Sequence, residues 1–204
     1  DECQRSNLVK TIKVNIKENE ISVFNDGNGI PIKIHKEHNI YVPELIFGNL
    51  LSSSNYDDSK KRTTGGLNGL GAKLTNIYST EFTIETVCAG QKYIQTFKNN
   101  LSEIEKPVIT KVSDKTKEYT KISFIPDLKR FNLNNLSDFN TIEVLKKRTV
   151  DISAITNKSV SVYFNDEKIK CKDFSDYISF YIGTKTEAPR VIYEDNRWQV
   201  GIAL

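Results

Sequence analysis

The segment Thr64-Gly65-Gly66-Leu67-Asn68-Gly69-Leu70-Gly71-Ala72-Lys73 constrains this chain more than any other. Gly66, Gly69 and Gly71 read as GxxGxG immediately ahead of residues with helical spacing. Glycines let bare backbone N–H groups come against anionic oxygens. A helix opening at that point adds unpaired N–H groups and a partial positive charge. Lys73, in its first turn, adds a full charge, and a charge-assisted hydrogen bond is worth roughly 1.5–3 kcal/mol. The spacing predicts a phosphate cradle; the bland alternative is a glycine-rich hinge. No GK[ST] ends the segment, so it is not a Walker loop, and a polar loop precedes it rather than a strand, which excludes a Rossmann fingerprint.

The flanking periodicity sets the class of fold. Ile12, Val14 and Ile16 alternate with Lys13, Asn15 and Lys17, and Ile21 and Val23 resume the alternation after Glu18-Asn19, which predicts a hairpin. Ile46, Phe47, Leu50 and Leu51 follow Pro43-Glu44 at helical spacing. Residues 52 to 71 are almost devoid of apolar side chains, and a polar loop of that length is usually a lid or a ligand cradle. A second helix is expected with Leu74, Ile77 and Tyr78 on one face.

Phe82, Ile84 and Thr86 share one strand parity, and Tyr93 to Phe97 follow a turn at Ala89-Gly90. Val108 to Val112 and Glu118 to Ile125 are expected to pair. Ser137 and Asp138 are candidate caps for a helix to about Ile152. A hairpin turns at Asn165-Asp166, and Phe174, Tyr177, Ile178 and Tyr181 mark a short amphipathic helix. Residues 183–189 read as a linker, with strands near Val191 and Trp198. Blocks of strands and helices without regular βαβ alternation predict an α+β, two-layer sandwich, with helices on a mixed, mainly antiparallel sheet.

Composition narrows the function classes. With 38% hydrophobic and 27% charged residues, the 204-residue chain reads as globular, and no apolar run approaches the length needed to span a bilayer. A net charge of +3 permits an acidic partner without demanding one. Cys3, Cys88 and Cys171 are too scattered for a disulfide framework or a zinc motif and suit a reducing compartment. His35 and His38 flank Lys36-Glu37 with no cluster of Cys, Asp or Ser beside them, so neither is expected to bind a metal or act in a triad.

Asp26-Gly27-Asn28-Gly29-Ile30 closes the second predicted strand. A carboxylate there can accept a hydrogen bond from an exocyclic amine such as that of adenine, and the glycines let a ring approach the backbone. Alone the motif is only a turn. In the order Asp26-Gly-Asn-Gly, helix, polar lid, GxxGxG, helix and then Thr120 on a strand, the chain resembles the Bergerat (GHKL) nucleotide fold. Ile40 to Gly48, Leu51-Ser-Ser-Ser-Asn55-Tyr-Asp-Asp58, Thr64 to Lys73, Tyr119-Thr-Lys-Ile122 and Asn196-Arg-Trp-Gln-Val200 make it similar to type IIA DNA topoisomerases of eukaryotes and large viruses. The match covers nearly the whole chain. MutL proteins and chaperones of the same superfamily fit Ser53 to Asp58 and Asn196 to Val200 less well. A non-catalytic module that has lost its nucleotide is a further alternative.

That resemblance implies an ATP site. Asp26 and Thr120 would hold the adenine beside Gly27, Gly29 and Ile30; Ser53, Ser54 and Asn55 would meet ribose and phosphates. The backbone from Gly65 through Gly66, Leu67, Asn68, Gly69, Leu70, Gly71 and Ala72 to Lys73 would wrap the triphosphate. Leu67 stands where the family has arginine and Leu70 where it has tyrosine, which bears on affinity rather than binding mode. The family's general-base glutamate and magnesium-ligating asparagine are expected upstream of Asp1, leaving no catalytic or metal-ligating residue expected within the chain. Residues 1–185 would form the ATP-binding domain and 186–204 the start of a transducer domain. The implied cofactors are ATP and Mg2+. The implied partners are double-stranded DNA, met through the full-length enzyme, and a second copy joined at the entry gate. The implied setting is the nucleus, or the cytoplasm or viral factory for a viral enzyme.

Overall fold

Two-residue alternation from Thr11 to Asn25 forms the hairpin it predicts. In a computed structural model describing residues 2–53, 59, 66–195 and 198–203, without the side chain of Gln4, a short helix α1 (Glu2–Arg5) precedes β1 (Thr11–Lys17) and β2 (Glu20–Asn25). Val14 lies opposite Val23, and the chain reverses at Glu18, which takes φ +56°. Next come α2 (Val42–Gly48), opened by Pro43, and α3 (Gly71–Ile77). The sheet continues with β3 (Ser79–Cys88), β4 (Gln91–Lys98), β5 (Glu103–Ile104), β6 (Val108–Lys111) and β7 (Tyr119–Pro126). After α4 (Phe139–Ile155), β8 (Ser161–Phe164) and β9 (Glu167–Lys168) complete it.

The strands run in the order β5-β4-β3-β7-β2-β1-β8-β9, with β6 also on β4. Every pairing is antiparallel except β1 with β8, so the sheet is mixed and mainly antiparallel as predicted. The expected pairing of residues 108–112 with 118–125 does not form. Both edges of β7 are occupied, by β3 and β2, so β6 takes the free edge of β4 instead.

Phe82, Ile84, Tyr93 and Phe97 form the core on one face of the sheet, with Ile122 and Phe124 packed against them. Phe47 of α2 meets Phe82 at 5.7 Å between centroids, and Tyr41 meets Tyr93 at the same distance. Each such side chain contributes roughly 1.5–3 kcal/mol by leaving water. Helix α3 departs from its expected orientation: Leu74 and Tyr78 are exposed, and Lys73 and Asn76 are buried. The side turned toward α2 is polar because the Asn76 amide donates to the Phe47 carbonyl at 3.0 Å, satisfying an end-of-helix acceptor.

Asp138 caps α4 by accepting from the Thr141 N–H at 3.0 Å. Helix α5 (Phe174–Ile182) is capped the same way by Asp173, which accepts from the Asp176 N–H at 2.9 Å. Strands β10 (Arg190–Glu194) and β11 (Gln199–Ala203) form a separate two-stranded sheet, with Gly201 set against Ile178 of α5.

Candidate functional site

Three neighbouring strands carry a polar row at one end of an otherwise apolar face. Asn25, the last residue of β2, is in register with Thr120 of β7, and Thr120 is in register with Thr86 of β3. Residues directly opposite in a sheet share a face, so all three project to the same side. The Thr86 and Thr120 hydroxyls lie 3.2 Å apart; that of Thr86 also donates to the Tyr119 carbonyl and accepts from the Ile30 N–H, both at 2.9 Å. Thr86 thereby anchors the glycine-containing turn after β2 to the sheet. Gly29 allows this approach: a Cβ there would lie 1.8 Å from the Val87 carbonyl oxygen. Gly27 is packed against the side chains of Val9 and Glu2.

Asp26 does not occupy the position expected of it beside Thr120. Its Oδ1 accepts the N–H groups of Lys10 and Thr11 at 2.8 and 2.7 Å, clamping the entry of β1 to the exit of β2. Asn25 holds the place opposite Thr120, its own Oδ1 accepting from Gly27 N–H at 3.2 Å. The signal was available, because Ile21, Val23 and Asn25 continue one two-residue period. Thr86 also went unassigned, although it shares parity with Phe82 and Ile84.

A second cluster forms where the polar loop meets α3. The Ser52 hydroxyl donates to the Leu45 and Asn49 carbonyls, each at 3.0 Å, closing the end of α2. Gly69 sits beside Ser52 and Ser53 with φ +60°, a conformation that favours glycine, and a Cβ there would lie 3.1 Å from both Ser53 N and Lys73 Nζ. Ser53, Gly69 and Lys73, all expected in the site, are thus brought together. Gly66, Leu67 and Asn68 are exposed, Leu70 is the half-buried cap of α3, and Gly71 and Ala72 face open space at its start. The expectations for Ser54, Asn55 and Gly65 fall outside the described residues.

Lys73 is 3% exposed. Burial alone lowers its pKa from the ordinary lysine value, and among the described residues no carboxylate compensates its charge. A buried, uncompensated ammonium is costly, and an anion beside it relieves that cost. Deeper in the same helix the Asn76 Oδ1 is buried without a partner among the described residues. The arrangement offers two recognisable halves: a hydroxyl-and-amide row suited to the edge of a heterocycle, and a glycine-lysine corner suited to phosphate.

Comparison with known proteins finds relatives along nearly the whole chain. DNA topoisomerase 2 of Arabidopsis thaliana is 46% identical over 215 residues, covering 100% of this chain and 14% of that protein. DNA topoisomerase 2 of Acanthamoeba polyphaga mimivirus is 47% identical over 205 residues, covering 98% of this chain and 16% of that protein. The chain thus spans about a sixth or less of the length of the curated relatives it matches. The crystal structure of the ATPase region of Saccharomyces cerevisiae topoisomerase II superposes with a TM-score of 0.90 at 43% identity, covering 98% of this chain and 53% of that one. No family model matches the chain.

Proposed function

Because the chain belongs to the type II DNA topoisomerase family and spans part of its ATPase region, we propose that it binds ATP between the Asn25–Thr120–Thr86 row and the Gly69–Lys73 corner. Lys73 carries this reading: an ammonium held out of water without a counter-charge among the described residues, beside a glycine in the left-handed region, fits phosphate oxygens. In the purine half, the Asn25 side chain can both accept from an exocyclic amine and donate to a ring nitrogen. The Thr120 hydroxyl, whose hydrogen goes to Thr86 because that of Thr86 goes to the Tyr119 carbonyl, supplies a further acceptor.

Lys73 supplies positive charge to the phosphates, Ser53 stands at the same corner, and the Gly29 turn fixes the wall against which a ring can lie. Lys73 and Gly69 fit the phosphates of the nucleotide. Magnesium is expected to enter with the triphosphate. In the complete protein, ATP binding would close a dimer of two copies and drive passage of one DNA duplex through another, in the nucleus or, for a viral enzyme, in the cytoplasm. Residues 186–204, with β10 and β11, would begin the transducer domain; their separate sheet supports that division.

Titration of the chain with a fluorescent ATP analogue and magnesium tests the reading. Saturable binding that weakens about tenfold or more in Lys73→Ala is expected, from the loss of one charge-assisted hydrogen bond. Absence of saturable binding would favour the module without a nucleotide, and saturable binding indifferent to Lys73 would overturn the placing of the phosphates at the Gly69–Lys73 corner.

A further inference from the structure

We infer that His35, Glu37 and His38, on the loop between β2 and α2, form a binding site for a divalent transition-metal ion of the zinc type. One ligand atom from each side chain lies within 4.8 Å of the others. The two imidazoles, the only ones in the chain, stand 5.1 Å apart between centroids with their planes 52° from each other. Zinc held by nitrogen and oxygen at about 2.0–2.1 Å places tetrahedral ligands roughly 3.3 Å apart, a contraction that side-chain torsions can supply. Two imidazoles and a carboxylate form a donor set that suits zinc and its neighbours and is poorly matched to magnesium.

The loop is organised without an ion. Val42 N–H donates to the Lys33 carbonyl at 2.9 Å, His35 N–H to the Ile40 carbonyl at 2.7 Å, and Asn39 N–H to the His35 carbonyl at 2.9 Å. The Asn39-to-His35 bond closes a turn over residues 35–39 that carries both imidazoles, and Asn39 itself, at φ +53°, redirects the chain toward α2. Binding therefore need not order the backbone. The Glu37 N–H meets His35 Nδ1 at 3.4 Å, a hydrogen bond long enough to be given up should that nitrogen ligate. Three protein ligands leave a fourth position for water, and the site would brace the loop that enters α2. The site shares no residue with the proposed nucleotide pocket and does not depend on that reading.

Calorimetric titration of the chain with Zn2+, followed in parallel through the imidazole C–H resonances, tests the proposal. One saturable site is expected, with both histidines shifting together and the affinity falling at least tenfold in His38→Ala and in Glu37→Gln. These side chains lie at the surface, and far-ultraviolet circular dichroism would confirm that the variants stay folded. Mg2+ at the same concentrations should leave both imidazoles unmoved. No saturable Zn2+ binding, binding unchanged in a His35→Ala/His38→Ala double variant, or equal binding of Mg2+ would each overturn the proposal.

Discussion

The hydroxyls of Thr86 and Thr120 face each other at 3.2 Å across β3 and β7, and that pair joins the turn after β2 to the polar end of the sheet. Its members have different jobs. Thr86→Val strands the half-buried Ile30 N–H and should cost about 1–3 kcal/mol in urea unfolding. Thr120→Val keeps the shape, and is expected to weaken binding of the ATP analogue several-fold with under about 1 kcal/mol lost. If the two variants behave alike in both assays, this division of roles is wrong.

Asn25 and Asp26 separate in the same way. Asp26→Ala removes the acceptor for two backbone N–H groups, so it should lower stability by about 1–2 kcal/mol, in the range of a lost cap. Asn25→Ala should chiefly reduce nucleotide affinity. Thermal unfolding with and without the ATP analogue distinguishes them, since only a ligand-binding residue alters the ligand-induced rise in Tm.

Lys73→Met should have effects of opposite sign on stability and binding. The lysine's folded-state pKa is depressed by burial, so the unfolded chain binds more protons between that value and 10.5, and the lysine's contribution to stability rises with pH through that window. At neutral pH the buried charge is a penalty. Removing it should raise Tm of the nucleotide-free chain, by roughly 2–4 °C for each kcal/mol relieved, while affinity for the ATP analogue falls. A drop in both would mean that the ammonium is compensated within the chain.

Glycine substitutions should split by position. Gly29→Ala drives a Cβ into the Val87 carbonyl, which as part of the β3 backbone cannot move aside, and should cost upward of about 3 kcal/mol or prevent folding. Gly71→Ala meets nothing within 4 Å at the start of α3, and should be neutral or stabilising by about 0.4–1 kcal/mol. Chemical denaturation of both variants checks the contrast.

Asp173 gives a pH test. The Lys158 ammonium and the Asp176 N–H hold its pKa below the ordinary carboxylate value. A depressed folded-state pKa contributes stability that is present above the unfolded value, near 3.8, and is lost as pH falls through the folded value. Asp173→Asn keeps a capping oxygen but loses the ion pair with Lys158. Its stability deficit against the wild type should therefore be seen at pH 6 and shrink at the acid end.

The alternation of β1 and β2, the aromatic parity of β3 and β4 and the capping aspartate of α4 were legible because each depends on local spacing. Gly69 and Lys73 were legible because a glycine at positive φ beside a cation leaves a compositional trace. The partner of β6 was not, since an edge becomes available only once β7 has inserted between β2 and β3. The inward face of α3 was misread because its burial serves a hydrogen bond to α2, which no hydrophobic period records. Asp26 attracted attention as a carboxylate, yet register with Thr120 belongs to Asn25. Proximity of His35 and His38 depends on the turn closed by the Asn39 N–H on the His35 carbonyl, which sequence spacing alone did not reveal.

The single parallel contact of the sheet has a kinetic consequence. Strand β1 is joined to β8 across most of the chain; the Ile16 N–H, for example, is held by Asn165 Oδ1 across 149 residues. Closing so long a loop is entropically costly before any contact rewards it. During synthesis, the outer edge of β1 must therefore wait uncovered until residues 161–164 emerge, making it the place where a nascent chain is most open to pairing with the wrong strand.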